Sequence, residues 1–178
     1  MFNLEKTEEI LYNKIIFLSR NKLLYEEFGL KDSFQNRINL IFIHISFIFI
    51  KIKHNNTNLI FKKFYQKMFN CIFEKVESNM RELGYGDTNV NKNMKFLVKS
   101  FYNILLICEN YKRNSVEQKK IFLFDYFSFN NARSEKHSQK LIDYFDKYGE
   151  FIGQIYKEGK FPINNNLKIY DRNGNLSY

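Results

Sequence analysis

Apolar residues recur at steps of three and four along most of this chain, and the breaks between runs are polar or contain glycine. That period belongs to helices with one buried face rather than to strands. Thr7-Glu8-Glu9 opens a first helix with acids where they match the helix dipole, and Ile10, Leu11, Ile15, Phe17 and Leu18 supply its apolar side. A short second helix is predicted over 21–28, stopped by Gly29. Asp32 or Ser33 caps a third over 34–53, apolar nearly all round and therefore central. Residues 54–58 read as a polar loop with Thr57 as the next cap. A fourth helix over 58–83 places Phe61, Tyr65, Met68, Ile72, Val76, Met80 and Leu83 in register, widened by Phe64, Phe69 and Phe73. A fifth, over 88–111, repeats the pattern with Val90, Met94, Leu97, Phe101, Ile104, Cys108 and Tyr111. Ser115 and Gln118 form a capping box that starts a helix through Phe129. After a break over 130–133, Ser134 starts the last helix. Leu141, Phe145, Tyr148, Ile152 and Ile155 are in register there, Gly149 and Gly153 interrupt it, and Gly159 and Pro162 end it. The expectation is all-α: one irregular bundle of about six or seven helices over residues 1–160, then a polar tail, extended or disordered, over 161–178 with a turn at Asn173-Gly174.

The fourth and fifth helices meet at Arg81-Glu82-Leu83-Gly84-Tyr85-Gly86-Asp87. Gly84 falls where a helix closes with a left-handed residue, Gly86 gives a second permissive joint, and Asp87 or Thr88 can cap the fifth helix. This predicts a tight antiparallel corner. Lys92 and Lys95 stand in the first turns of the new helix, at its positive end, where each is unfavourable by about 0.3–1 kcal/mol. With Arg81 and the free N–H groups of the helix start they form a seat for an anionic partner.

Composition narrows the choice of function without making it. The chain has 178 residues, enough for one domain, with 44% hydrophobic and 18% aromatic residues. Its formal net charge of +9 suits RNA, anionic lipid or acidic proteins alike. Cys71 and Cys108 sit inside apolar patterns with no metal or redox spacing, as reduced core residues of a reducing compartment would. The run over 38–52 is about 15 residues long and broken by Asn39, His44 and Ser46, short of the roughly 20 a membrane span needs. His44, His54 and His137 show no ligand spacing, and no phosphate loop or nucleophile elbow is present. Glu26-Glu27 and the pair Asp143 and Asp146 read as surface charges. The aromatic stripe at 61–65 reads as core. Nothing assembles a catalytic site or calls for a cofactor, so the chain reads as a binder.

Three blocks resemble the ubiquinol–cytochrome c chaperone family, which assists assembly of respiratory complex III. Leu11-Tyr12 and Leu24-Tyr25-Glu26-Glu27-Phe28-Gly29-Leu30-Lys31-Asp32 are similar to its start. Arg37-Ile38-Asn39-Leu40 through His44 resembles its central helix. The most specific block is Met68-Phe69 with the Arg81–Asp87 corner, continuing through Val90, Lys92, Met94, Lys95 and Phe101-Tyr102. The similarity is good over 11–111 and weak beyond; Asn91 and Asn93 depart from the pattern.

The resemblance implies a helical, non-enzymatic protein that holds newly made cytochrome b. It also implies work near the ribosome exit with a small helper protein, and peripheral contact with the inner membrane. With no presequence, the expected place is the cytoplasmic side of a bacterial membrane, or the matrix side in a mitochondrion; DNA is not an expected partner. Arg81, Glu82, Gly84, Gly86, Asp87, Lys92 and Lys95 would face the client or its helper, with Arg37, His44 and Tyr102 in support. Two rival classes remain. One is a basic helical module for ribosomal RNA, motivated by the charge. The other is a peripheral membrane protein without a client, motivated by the aromatic excess over 122–129.

Overall fold

The computed structural model describes residues 4–55, 58–130 and 135–157. Its helices are α1 (Leu4–Ser19), α2 (Lys22–Glu26), α3 (Phe34–Asn55), α4 (Asn58–Glu82), α5 (Asp87–Asn110), α6 (Val116–Tyr126) and α7 (Glu135–Lys157). The fold is an all-α bundle. The predicted caps at Thr57 and Ser134, the stops at Gly159 and Pro162 and the whole tail over 161–178 lie outside the described residues.

The near-uniform apolarity of α3 has the consequence expected of it. From Ile38 through Ile52 almost every side chain is buried, because α1, α4, α5 and α7 all lie against this one helix. Phe42 meets Phe73 of α4 at 5.5 Å and Phe101 of α5 at 5.2 Å, the latter edge to face. Phe49 meets Phe64 of α4 at 5.9 Å. Removing a ring such as Phe101 from this junction would cost about 3–5 kcal/mol in lost burial and cavity. The polar groups inside α3 stay satisfied locally: Ser46 Oγ donates to the Phe42 carbonyl at 2.7 Å.

Several boundaries differ from the sequence reading, each for a local reason. α1 begins at Leu4, before the acids, and turns Glu8 inward while Ile10 and Phe17 face solvent. His54 is helical, so the predicted polar loop shrinks. α6 stops at Tyr126: Phe127 has extended φ/ψ and Phe129 pairs with Leu30 in an isolated antiparallel bridge. Lys31 N–H donates to the Ser128 carbonyl and Asn130 N–H to the Gly29 carbonyl, both at 2.9 Å. Gly29 takes φ +70° to enter this bridge, and a Cβ there would lie 2.9 Å from His137 Nδ1. Gly149 does not interrupt α7; a Cβ there would sit 3.1 Å from the Phe47 ring, so glycine lets α7 approach α3.

Asparagines clamp the extended link to the core. Asn36 Nδ2 donates to the carbonyls of Lys31 at 2.8 Å and Ser128 at 2.7 Å, and its Oδ1 accepts the Ser128 N–H at 3.0 Å. Asn39 Nδ2 donates to the Tyr126 carbonyl. Ser33, not Asp32, caps α3, accepting the Asn36 N–H at 3.2 Å.

Candidate functional site

At the end of α4 the Tyr85 N–H bonds to the Met80 carbonyl at 3.1 Å and the Gly84 N–H to the Arg81 carbonyl at 2.9 Å. Gly84 has φ +87°. This six-to-one and five-to-two pair is the Schellman closure, which needs a left-handed residue at the position glycine fills. Gly86 behaves otherwise than expected. Its φ of −70° and ψ of 159° are open to any residue, and it is itself the N-cap of α5, with no side-chain cap. Asp87 and Thr88 therefore lie inside the helix instead of capping it.

Arg81 is not the free cation that its sequence position suggested. Its Nη2 reaches Glu77 Oε1 at 2.9 Å, one turn back, and its Nη1 donates to Asp87 Oδ1 across the corner. These bonds, the one to Asp87 foremost, raise the guanidinium's pKa above its ordinary value. Asp87 also places a carboxylate in the first turn of α5, where an external anion would have sat. The tip is thus a strapped bend whose charges largely cancel, with Glu82 adding a further acid. Lys92 and Lys95 lie on the flank of α5, exposed, and no ion pair among the described residues engages them.

All residues from Arg81 through Asn89 are exposed. Leu83 is 63% and Tyr85 42% exposed, so the tip presents apolar groups that the charge-led sequence reading passed over. The signal was present: a periodic stripe continued to Leu83 beyond the point where the bundle can cover it.

The supporting residues are elsewhere. Arg37 grips Asp32 with two bonds, Nε to Oδ1 at 2.7 Å and Nη2 to Oδ2 at 2.8 Å, and so fixes the α2–α3 junction. That hydrogen bonding holds the Asp32 carboxyl below its ordinary pKa. His44 is wholly buried against α7. Its Nδ1 is 2.6 Å from the Leu40 carbonyl and its Nε2 2.6 Å from the Tyr144 hydroxyl. A carbonyl only accepts, so Nδ1 carries the proton and Nε2 accepts from Tyr144. Tyr148 adds a bond from its hydroxyl to the His44 carbonyl at 3.1 Å. His44 therefore latches α3 to α7; its ring meets Leu40 of its own helix and Tyr144, Phe145 and Tyr148 of α7, not the corner. Tyr102 is exposed and stacks on Phe69 of α4 at 6.0 Å.

Other chemistry also resolves into structure. Asp146, at the surface as expected, accepts from Lys119 at 2.7 Å, and Lys119, buried, lies over the Tyr111 ring at 4.8 Å; this ties α6 to α7. Phe122 and Phe127 are buried, and Phe124, Tyr126 and Phe129 half-buried, which removes the aromatic excess behind the client-free membrane reading. Cys108 is buried and Cys71 half-buried, both free thiols. Among the described residues no cluster of His, Cys, Asp or Glu is placed to hold a metal, and no helix is long and apolar enough to cross a membrane.

Comparison with known proteins bears on this arrangement. A family profile described as ubiquinol-cytochrome C chaperone matches residues 26–147, which include the corner, α3 and most of α7. The crystal structure of the Cbp3 homolog from Brucella abortus is similar with TM-score 0.72 at 22% identity, over 89% of this chain and 88% of that one. At that identity the likeness speaks for the fold. No curated protein sequence matches.

Proposed function

This chain belongs to the ubiquinol–cytochrome c chaperone family, and from that premise we propose that it is a non-enzymatic assembly factor that holds newly made cytochrome b through the α4–α5 corner. The observation that carries the reading is the pairing of rigidity with exposure. The Schellman closure and the Arg81 strap fix the backbone, yet among the described residues none covers the tip. A rigid surface loses little entropy on binding, so the contacts it makes translate into affinity.

In this reading Leu83 and Tyr85 meet apolar surface of the client. Lys92 and Lys95 attract its acidic or lipid-proximal segments, Arg81, Gly84 and Asp87 keep the tip in shape, and Glu82 and Gly86 lie on its exposed surface. The work takes place beside the inner membrane, near the ribosome exit, with a small helper protein as co-binder. Charge reversal, Lys92→Glu with Lys95→Glu, is expected to weaken co-purification of cytochrome b about tenfold while the thermal midpoint stays put, since both side chains are exposed and unpaired. Undiminished co-purification would falsify the assignment of these lysines.

A further inference from the structure

Away from the hairpin, α1 carries a face that nothing among the described residues covers. Leu11, Ile15 and Leu18 are buried where α1 lies against α3 and α4. The opposite side holds Glu9, Ile10, Asn13, Phe17 and Arg20, all exposed. Steps of three, four and three put Ile10, Asn13, Phe17 and Arg20 on one ridge, with Glu9 beside its start. Arg20 follows α1 directly and stays on the same spiral, because its N–H donates to the Ile16 carbonyl at 3.1 Å. Phe17, at 69%, is the most exposed large apolar side chain among the described residues. Glu9 reaches Lys75 of α4 at 3.3 Å, yet 60% of its side chain remains exposed. No ion pair among the described residues engages Arg20. Lys14, next to the middle of the ridge, has its ammonium buried and so kept off it. The ridge therefore runs acid, apolar, amide, apolar, base.

We infer that this ridge pairs with the same ridge of a second copy of the chain, the two α1 helices crossing antiparallel on a two-fold axis beside Asn13. A contact across a two-fold must be complementary to itself, and turning this ridge end for end exchanges its charges and keeps its apolar groups. Ile10 and Phe17 stand three residues before and four after Asn13, the positions that flank a helix crossing. The two-fold sets Ile10 against Phe17 of the second copy, and the reverse. Asn13 meets its own copy, where a carboxamide offers both a donor and an acceptor. Glu9 and Arg20 stand four residues before and seven after, a mismatch of about 4.5 Å of helix rise that the long arginine side chain spans. An anionic bilayer or a nucleic acid would be repelled by the acid at one end of this ridge. A crossed pair of single helices buries less than the roughly 1,600 Å² of a stable interface, and two chains of net charge +9 repel, so the dimer is weak and forms at about 10–1000 µM. Pairing through α1 needs neither the corner nor a client, so it goes beyond the cytochrome b reading, and either can fail without the other.

The test is sedimentation of the purified full chain in reducing buffer over a concentration series. The expected result is a monomer near about 1 µM that converts to a dimer as the concentration approaches about 1 mM. Phe17→Ser weakens the dimer by more than about tenfold. Arg20→Glu sets like charges together and weakens it about fivefold, and adding Glu9→Lys to that variant restores it. Under oxidising conditions Asn13→Cys links to its own copy, since a position on the axis brings two Cα atoms within about 7 Å. The wild type, whose Cys71 and Cys108 lie off the ridge, and a Lys147→Cys variant form no such dimer. Several results overturn the inference: a monomer throughout the series, a dimer that Phe17→Ser leaves intact, no selective cross-link from Asn13→Cys, or a monomeric wild type whose flotation with anionic vesicles is lost in Phe17→Ser. The wild-type series decides by itself should a variant fail to fold.

Discussion

Burial holds the His44 imidazole uncharged, with a pKa lowered to about 4. In the unfolded chain a histidine titrates near 6.5. Between those values the unfolded state binds a proton that the folded state refuses. Stability is therefore complete above about pH 6.5 and declines as the pH falls toward 4, with a slope from this residue approaching about 1.4 kcal/mol per pH unit. Urea unfolding across that window should show the slope in the wild type and its loss in a His44→Phe, Tyr144→Phe double variant, which removes both polar partners together. Equal slopes in the two proteins would contradict the buried latch. That His44 belongs to the core was legible from its place in an apolar run. Its partners were not, because Tyr144 and Tyr148 follow it by 100 and 104 residues and nothing local to His44 points to them.

Helices were the most legible level, since burying one face of a helix imposes a period that this sequence keeps for turn after turn. Their ends were less so. Phe-rich segments satisfy helix and extended backbone alike, and the stop of α6 at Tyr126 is decided by a remote group: the Asn36 side chain, which offers the Ser128 backbone both a donor and an acceptor. Asn36→Ala leaves the Ser128 N–H and the Lys31 carbonyl without this partner in a partly buried place, and leaves the Ser128 carbonyl with the Lys31 N–H alone. A loss of about 2–4 kcal/mol is expected from the denaturation midpoint, together with faster amide exchange at Ser128 and Asn130. A loss no larger than that of an exposed substitution would mean that the extended link holds itself. Asn36 is almost fully buried, and burial is what a linear reading could not see.

For the molecule as a whole, the corner's shape was legible and its electrostatics were not. Gly84 announced a left-handed closure and received one. Arg81, Lys92 and Lys95 together suggested a basic tip, but Arg81 is matched by Glu77 and Asp87, and the two lysines lie on the flank of α5. The spacing of Glu77 and Arg81, one helical turn, was the available warning. What remains at the tip is a stiff exposed surface of Leu83 and Tyr85 edged by Lys92 and Lys95, and the account rests on a nascent membrane subunit meeting it. The direct measurement is site-specific photo-crosslinking during synthesis of cytochrome b, with the photoreactive residue at position 85 in one protein and at position 147, on exposed α7 surface, in another. The account predicts a cytochrome b adduct from position 85 and none from 147; adducts from 147 alone would contradict it.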